Sequence, residues 1–487
     1  MIEKMTLSDY LYQELTAQIR AGRLKYGQSL PTARRLCGWY QVGIRTVRDV
    51  MARMQREGYI QTRERRAPAV IYQEKAQAEN EQQAVCALLS RRESILQVYE
   101  TLGTVMPDLF WAGARRCGEE EFRALERVAK RCAHAGVKDS WRLSSVVLHG
   151  ILAQSRNPLI GDLYSSLEIY CQVPVLAGRA DPFARVIAEK APFAWVIEPL
   201  RQGDRAQAEL RIGRMYRGTG REVAVYLEDL SAAFPEVGED PQAAYRWNAA
   251  KGRTHLYAEI ARELIDEIGR GRWPDGGYLP SGQALAKRYG VSLYTVRQAL
   301  QRMEALGFIQ VRNGRGAQVT LSRVGGNDRD YFADPAQKRD ALIYLQALQL
   351  TAMLLRPAAR AAFDNMGPES ALRMEQELAR NGAAAQKALL ETVVEALPYR
   401  PLQGVFQEVG GLLLWGQHFL FRPSMAVRLP ELKRRCAQAL ERLRSGDREG
   451  FAQAAAGSYD ASFCWVRSLL CAAGLREAEE LRSLEET

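Results

Sequence analysis

Residues 290–309 read GVSLYTVRQALQRMEALGFI, and 249 positions earlier residues 41–60 read QVGIRTVRDVMARMQREGYI. The likeness runs without a gap from LPTARRLCGWYQ at 30–41 over LPSGQALAKRYG at 279–290, and on to RERRAPAV at 63–70 over RNGRGAQV at 312–319. Leu-Pro, Thr-Val-Arg, Arg-Met, a glycine and Ile-Gln-x-Arg recur in the same order. A repeat of so long a period governs the organisation of the whole chain.

Each copy follows a periodic apolar segment closed by glycine, LSDYLYQELTAQIRAG or HLYAEIARELIDEIGRG, which predicts a helix. A Leu-Pro turn comes next, then a helix with Thr32 or Ser281 near its cap, a short turn, and a second helix through the Thr-Val-Arg triplet. Gly58 and Gly307 end that helix. The β-favouring pairs YIQTR with AVIY and FIQVR with AQVTL then predict a hairpin. Val47, Val50, Met54, Val296, Leu300 and Met303 share one face at helical spacing and are expected in the core. Three helices and a small hairpin make a winged helix-turn-helix.

The chain of 487 residues has 47% hydrophobic and 25% charged residues, enough for about three or four domains of ordinary size. Its net charge of +10 is unevenly placed: residues 24–75 and 270–323 each sum to +7, so the remainder sums to −4. Basic charge gathered in two compact segments points to nucleic acid. No run approaches the roughly 20 apolar residues that cross a bilayer. Glu3 and Asp9 stand where a secretory signal needs a basic start and an apolar core, so a cytoplasmic, nucleoid-associated protein is expected, with no membrane partner. The eight cysteines include no CxxC pair, and most lie in apolar helical patterns. Reduced, buried thiols are expected rather than a zinc site or disulfides.

The second helix of a helix-turn-helix enters the major groove with its N-terminal residues at base edges, while neighbouring elements hold phosphates. Arg45, Thr46 and Arg48 occupy that end in the first copy, and Tyr294, Thr295 and Arg297 in the second. The wing loops bring Arg65 and Arg66, or Arg312 and Arg315 beside Gly314 and Gly316.

These residues resemble the DNA-binding domain of the GntR family of bacterial transcription regulators, whose pattern runs L-P-S-E-R-x-L-A, then G-V-S-x-x-T-V-R-x-A-L, and ends in a G-R-G-x-x-V wing. The second copy keeps nearly all of it, including Ser281, but has Gln283 where the family places a DNA-contacting arginine. The first copy keeps that arginine as Arg34 and lacks the wing glycine, which puts close backbone approach there in doubt. The resemblance implies double-stranded operator DNA as partner, read by two half-site readers of different preference.

About 150 residues that read as helix follow each reader. SVVLHGILAQSRNPLIGDLYSSLEIY resembles the helical effector domain of the FadR-type (FCD-like) branch of that family. The second half echoes it, with Pro401-Leu402 and Gly446-Asp447-Arg448 each 243 positions after Pro158-Leu159 and Gly203-Asp204-Arg205. The resemblance implies a small-molecule effector in these domains, held in many members by an Asp and three His on a metal. Here only His149 matches: Ser145, Phe193 and Met215 replace the other ligands, and Thr392 replaces His149 in the second half. No metal or cofactor is expected. His149 is left as a hydrogen-bonded core histidine or one polar wall of an altered effector pocket, and the ligand is a different molecule or none.

The expected architecture is mainly α: a winged helix-turn-helix over 1–75, a helical-bundle domain over 86–230, a second winged domain over 253–322 and a second bundle over 336–475. Residues 231–253, rich in Pro, Gly and acids, read as the connection between halves. Helix-turn-helix regulators usually pair two chains to read two half-sites. One chain holding both readers supplies the second intramolecularly, giving a pseudodimer that acts as a monomer or pairs again as a homodimer. Neither bundle has the length or nucleotide-binding motifs of a catalytic domain, so no enzymatic activity is expected. The alternative reading is a plasmid replication initiator or an architectural DNA-binding protein.

Overall fold

The computed structural model describes residues 7–20, 26–27, 29–30, 33, 36–37, 43–62, 68–72, 77–133, 137–173, 176, 179–184, 194–249, 256–312, 314–321, 335–380, 382–416, 419 and 423–484. The chain divides into two compact units. One comprises Met1–Gly103, Gly118–Gly150 and Asp162–Arg253; the other comprises Thr104–Cys117, Ile151–Gly161 and Thr254–Thr487.

The first unit opens with helices α1 (Leu7–Arg20) and α2 (Ile44–Arg56) and strands β1 (Ile60–Gln61) and β2 (Ala69–Val70). Leu11, Leu15 and Ile19 of α1 are buried with Val47, Val50 and Met54 of α2 and with Ile60 and Val70 of the hairpin. Helical spacing of apolar residues produces that shared face. Helices α3 (Gln77–Leu89), α4 (Arg92–Ala114), α5 (Glu119–Ala133), α6 (Val137–Ala153), α7 (Pro158–Tyr170), α8 (Ala194–Gln202) and α9 (Arg205–Ala233) follow, with α4, α6 and α7 contributing to both units.

The second unit has the same helices and hairpin, with a further helix described between them: α10 (Leu256–Gly269), α11 (Gly282–Tyr289), α12 (Leu293–Ala305), β3 (Ile309–Arg312) and β4 (Gly316–Val319). Its bundle comprises α13 (Pro335–Ala362), α14 (Pro368–Arg380), α15 (Gly382–Ala396), α16 (Arg400–Leu413), α17 (Leu429–Arg444) and α18 (Arg448–Ala472). In the reader core, Val296, Ala299 and Met303 are buried, whereas Leu300 is only partly covered at its edge.

The repeat holds at the level of single hydrogen bonds. Gly27 N–H donates to Val70 O and Leu30 N–H to Pro68 O, both at 2.8 Å; 249 positions on, Gly276 donates to Val319 and Leu279 to Ala317, both at 2.9 Å. Gly58 and Gly307 leave the recognition helices at φ +77° and +82°, a region that other residues enter only at a cost. In the bundles, Asp204 caps α9 by accepting from Gln207 N–H, and Asp447 caps α18 by accepting from Gly450 N–H. Each follows a left-handed glycine, Gly203 at φ +73° and Gly446 at +74°.

One sequence expectation is refined and one corrected. The connection read over 231–253 packs on its own unit where it is described, over 231–249: Tyr245 and Trp247 are buried, Trp247 Nε1 donates to Asp162 at 3.0 Å, and Tyr170 OH donates to Ala243 O at 2.7 Å. The Pro and acidic content marks a turn-rich strap that two aromatic rings hold down. The cysteines are all free, but only Cys132, Cys171 and Cys436 are buried, and Cys86 is exposed, because an apolar pattern does not fix which helix face a thiol takes.

Candidate nucleic-acid interface

The two recognition helices agree inward and differ outward. Helix α12 is capped by Ser292, whose Oγ accepts from Thr295 N–H at 3.2 Å and lies 2.9 Å from Thr295 Oγ1. Helix α2 has Gly43 at that position with no side-chain cap. Val47, Val50 and Met54 face the core in one, Val296, Ala299 and Met303 in the other. Outward, Arg45 and Arg48 are exposed on α2, and Tyr294, 67% exposed, and Arg297 on α12. Thr46 and Thr295 are half-buried at the base of each face. Sequence reasoning missed Asp49 and Gln298, which extend these faces; Gln298 Nε2 donates to Tyr294 OH at 3.1 Å. The signal was present, since each lies four residues, about one turn, after Arg45 or Tyr294.

The second wing is a tight antiparallel hairpin running from Ile309 opposite Val319 to Arg312 opposite Gly316. Gly314 and Gly316 turn it at φ +73° and +96°, with Arg315 N–H donating to Arg312 O at 3.0 Å. That leaves Arg312 and Arg315 exposed beside two glycines, Gly314 and Gly316. Ser281 is exposed and caps α11 through Ala284 N–H at 3.2 Å. Arg34, Thr32, Arg65 and Arg66 lie outside the described residues.

The charge count needs a structural refinement. Arg270, Arg272, Arg288 and Arg302 pair with Asp266, Glu267, Glu263 and Asp340, acids that lie outside the basic stretch 270–323. The local excess is therefore partly neutralised from α10 and α13, while Arg297, Arg312 and Arg315 stay on the exposed surface.

In the first bundle, His149 Nε2 lies 3.0 Å from Oε2 of the buried Glu168, and its ring packs 4.8 Å from that of Tyr164. Tyr216 OH donates to Tyr164 OH at 3.4 Å, and burial holds both phenols well above the ordinary tyrosine range. Glu168 was invisible as a partner because it comes from the next helix. Met215 is buried, Ser145 half-buried, and Phe193 lies outside the described residues. Among the described residues no three His, Cys, Asp or Glu groups gather as a metal would need. One imidazole already engaged by one carboxylate does not fit the metal that the resemblance implies. Thr392, the position equivalent to His149, is buried, and its Oγ1 has no hydrogen-bond partner among the described residues.

The geometry defines a class, paired winged helix-turn-helix readers on helical bundles. Residues 7–70 and 256–319 each match the family of bacterial regulatory proteins called gntR, so the likeness to that family lies in these two segments. It is 30% identical over 121 residues to the HTH-type transcriptional repressor NanR of Klebsiella aerogenes, covering 23% of this chain and 45% of that repressor. It is 37% identical over 73 residues to the mannosyl-D-glycerate transport/metabolism system repressor MngR of Escherichia coli, covering 15% of this chain and 30% of that one. The chain thus spans under half the length of either relative. The solved structure of Escherichia coli McbR/YncC matches at 14% identity and a TM-score of 0.24, over 47% of this chain and 99% of that one. The family match and the two repressors do not favour the alternative of a replication initiator or architectural protein. Among the described residues no helix is long and apolar enough to cross a membrane.

Proposed function

We propose that the chain is a sequence-specific transcription regulator acting as a single-chain pseudodimer on an asymmetric operator, without enzymatic activity and in the cytoplasm. The carrying observation is the pair of recognition helices, alike on the buried face and different on the exposed one. Arg45, Thr46, Arg48 and Arg34, with Arg65 and Arg66 of the first wing, read one half-site. Tyr294, Thr295 and Arg297, with Ser281, Arg312, Arg315 and Gly316, read the other. The functional domains are 1–75, 86–230, 253–322 and 336–475. The bundles carry the effector response, with His149 and Glu168 as polar wall of a metal-free site in the first.

The physical reason for one chain is symmetry. Two identical chains restrict both readers to one sequence, whereas a fused pair is free to diverge. Selection of random duplexes by the purified chain, followed by anisotropy titration at several salt concentrations, tests this reading. One chain per unequal pair of half-sites, with selectivity that outlasts salt, is expected. Selection of perfect palindromes by two chains would replace the pseudodimer with an ordinary dimer.

A further inference from the structure

The matching arginines Arg53 and Arg302 do different things. Arg302, in the last turn of α12, donates from Nη2 to Asp340 Oδ2 and to Gln337 Oε1, both at 3.0 Å. Asp340 is buried on α13, the first bundle helix. Arg262 of α10 reaches the same Asp340 Oδ2 at 3.4 Å, and its guanidinium lies 3.8 Å from the Trp415 ring centroid. A third tie runs from Lys387 of α15 to Asp266 Oδ2 of α10 at 2.8 Å. Both the recognition helix and the helix behind it are therefore fastened to the bundle by charge-assisted bonds, the stronger kind.

In the first copy, among the described residues, Arg53 stays inside its own reader. It donates to Asp9 Oδ1 and Glu57 Oε1, each at 3.0 Å, and lies 3.8 Å over the Tyr12 ring. The positions equivalent to Arg262 and Asp266 are Gln13 and Ala17, which bring no charge. Local sequence is shared; the acceptors are not.

We propose that Asp340 is a positioning residue for the second recognition helix, so that the state of the bundle sets the presentation of Tyr294, Thr295 and Arg297 while the first reader keeps its own. This rests on the DNA-reading proposal and adds that regulation reaches one half-site only. The clamp is only partly satisfied: Arg262 Nη1 and Asp340 Oδ1 have no hydrogen-bond partner among the described residues, although Arg339 pairs with Asp340 Oδ1 at 3.7 Å, and an incompletely paired buried network carries a high cost.

The test uses the full chain as wild type, Asp340→Asn, Asp340→Glu and Arg302→Gln. Hydrogen exchange followed by mass spectrometry should be about tenfold or more faster in α10 and α12 for Asp340→Asn and Arg302→Gln, with α1, α2 and α18 unchanged. On an operator selected by the wild type, with either half-site randomised in turn, both variants should weaken only the half-site of the second reader, and Asp340→Glu should recover part of the loss. Unchanged exchange in α10 and α12 overturns the clamp. Faster exchange with equal weakening at both half-sites overturns the positioning role. Should the wild type select no sequence, the DNA reading falls and the exchange result alone decides whether Asp340 holds the helix.

Discussion

Arg288 and Glu267 face each other through two bonds, Nη1 to Oε2 at 3.0 Å and Nη2 to Oε1 at 2.5 Å. Glu267 also accepts from the Trp273 indole at 2.9 Å and from Arg272 at 2.8 Å. The carboxylate thus ties α10 to α11 and to the turn between them. The Arg288 bonds come first, before the Trp273 bond, in holding the Glu267 carboxyl below its ordinary value of 4.5. A depressed folded value means that the stabilisation is complete above the ordinary carboxylate range, and is lost as pH falls from there through the lower folded value. Glu267→Gln is expected to destabilise the second reader by about 1–3 kcal/mol near neutral pH and by less at a pH below the ordinary carboxylate range. Exchange rates of α10 and α11 amides, corrected for intrinsic rates, check this; an equal loss at both pH values would assign the effect to shape rather than charge. The first reader has Gln18 and Trp39 at these positions, so its rates should not move.

The strap predicts protease resistance where the sequence suggests a linker. Besides Trp247 on Asp162, Tyr245 OH donates to Ser166 Oγ at 3.2 Å, Asp240 N–H to Ser90 O at 2.8 Å, and Arg92 pairs with Glu239 at 3.3 Å. Trp247→Ala should cost about 3–5 kcal/mol locally and expose residues 234–249 to limited proteolysis that leaves the wild type intact. Cleavage of both proteins at one rate would show that the aromatic anchors do not hold the strap in solution.

What could be read in advance follows from the range of the interactions. Helix ends, left-handed glycines and the hairpin turn depend on neighbours in sequence, so both readers were legible from short motifs, and Gly203-Asp204 and Gly446-Asp447 were legible as equivalent positions though not as caps. Trp247 and Glu168 were not, because their partners Asp162 and His149 lie on other elements. Arg53 and Arg302 make the point most directly: each precedes a buried methionine in the same local pattern, and only the fold decides that one meets Asp9 and the other Asp340.

The equivalent caps should be equal in energy. Asp204 and Asp447 have φ/ψ of −87°/89° and −82°/88° and accept at 3.0 and 2.9 Å. Asp204→Ala and Asp447→Ala should each cost about 1 kcal/mol, seen as faster exchange confined to the first turns of α9 and α18. A much larger effect at Asp447 would point to its second contact, with Arg442 at 2.9 Å.

Thiol reactivity offers an independent check on the helix faces. Cys86 is exposed, whereas Cys436 is buried and its thiol is pushed up to about 12 by desolvation. The thiolate is the reactive form, so an aromatic disulfide reagent at neutral pH should modify Cys86 in the native chain and reach Cys436 only on unfolding. Early modification of Cys436 would mean that α17 opens locally.

The recognition helices predict two separable losses. Arg48→Ala should weaken binding at one half-site and Arg297→Ala at the other, each by about 1–3 kcal/mol if the arginine reads a base edge. If an arginine holds a phosphate instead, its loss lowers affinity for all sequences alike and reduces the salt slope by about one. Anisotropy titrations on operators with one half-site randomised distinguish these outcomes for each variant. Two variants that fail on the same half-site would contradict two independent readers, because Arg48 and Arg297 hold the same position in helices whose outward neighbours Arg45 and Tyr294 differ.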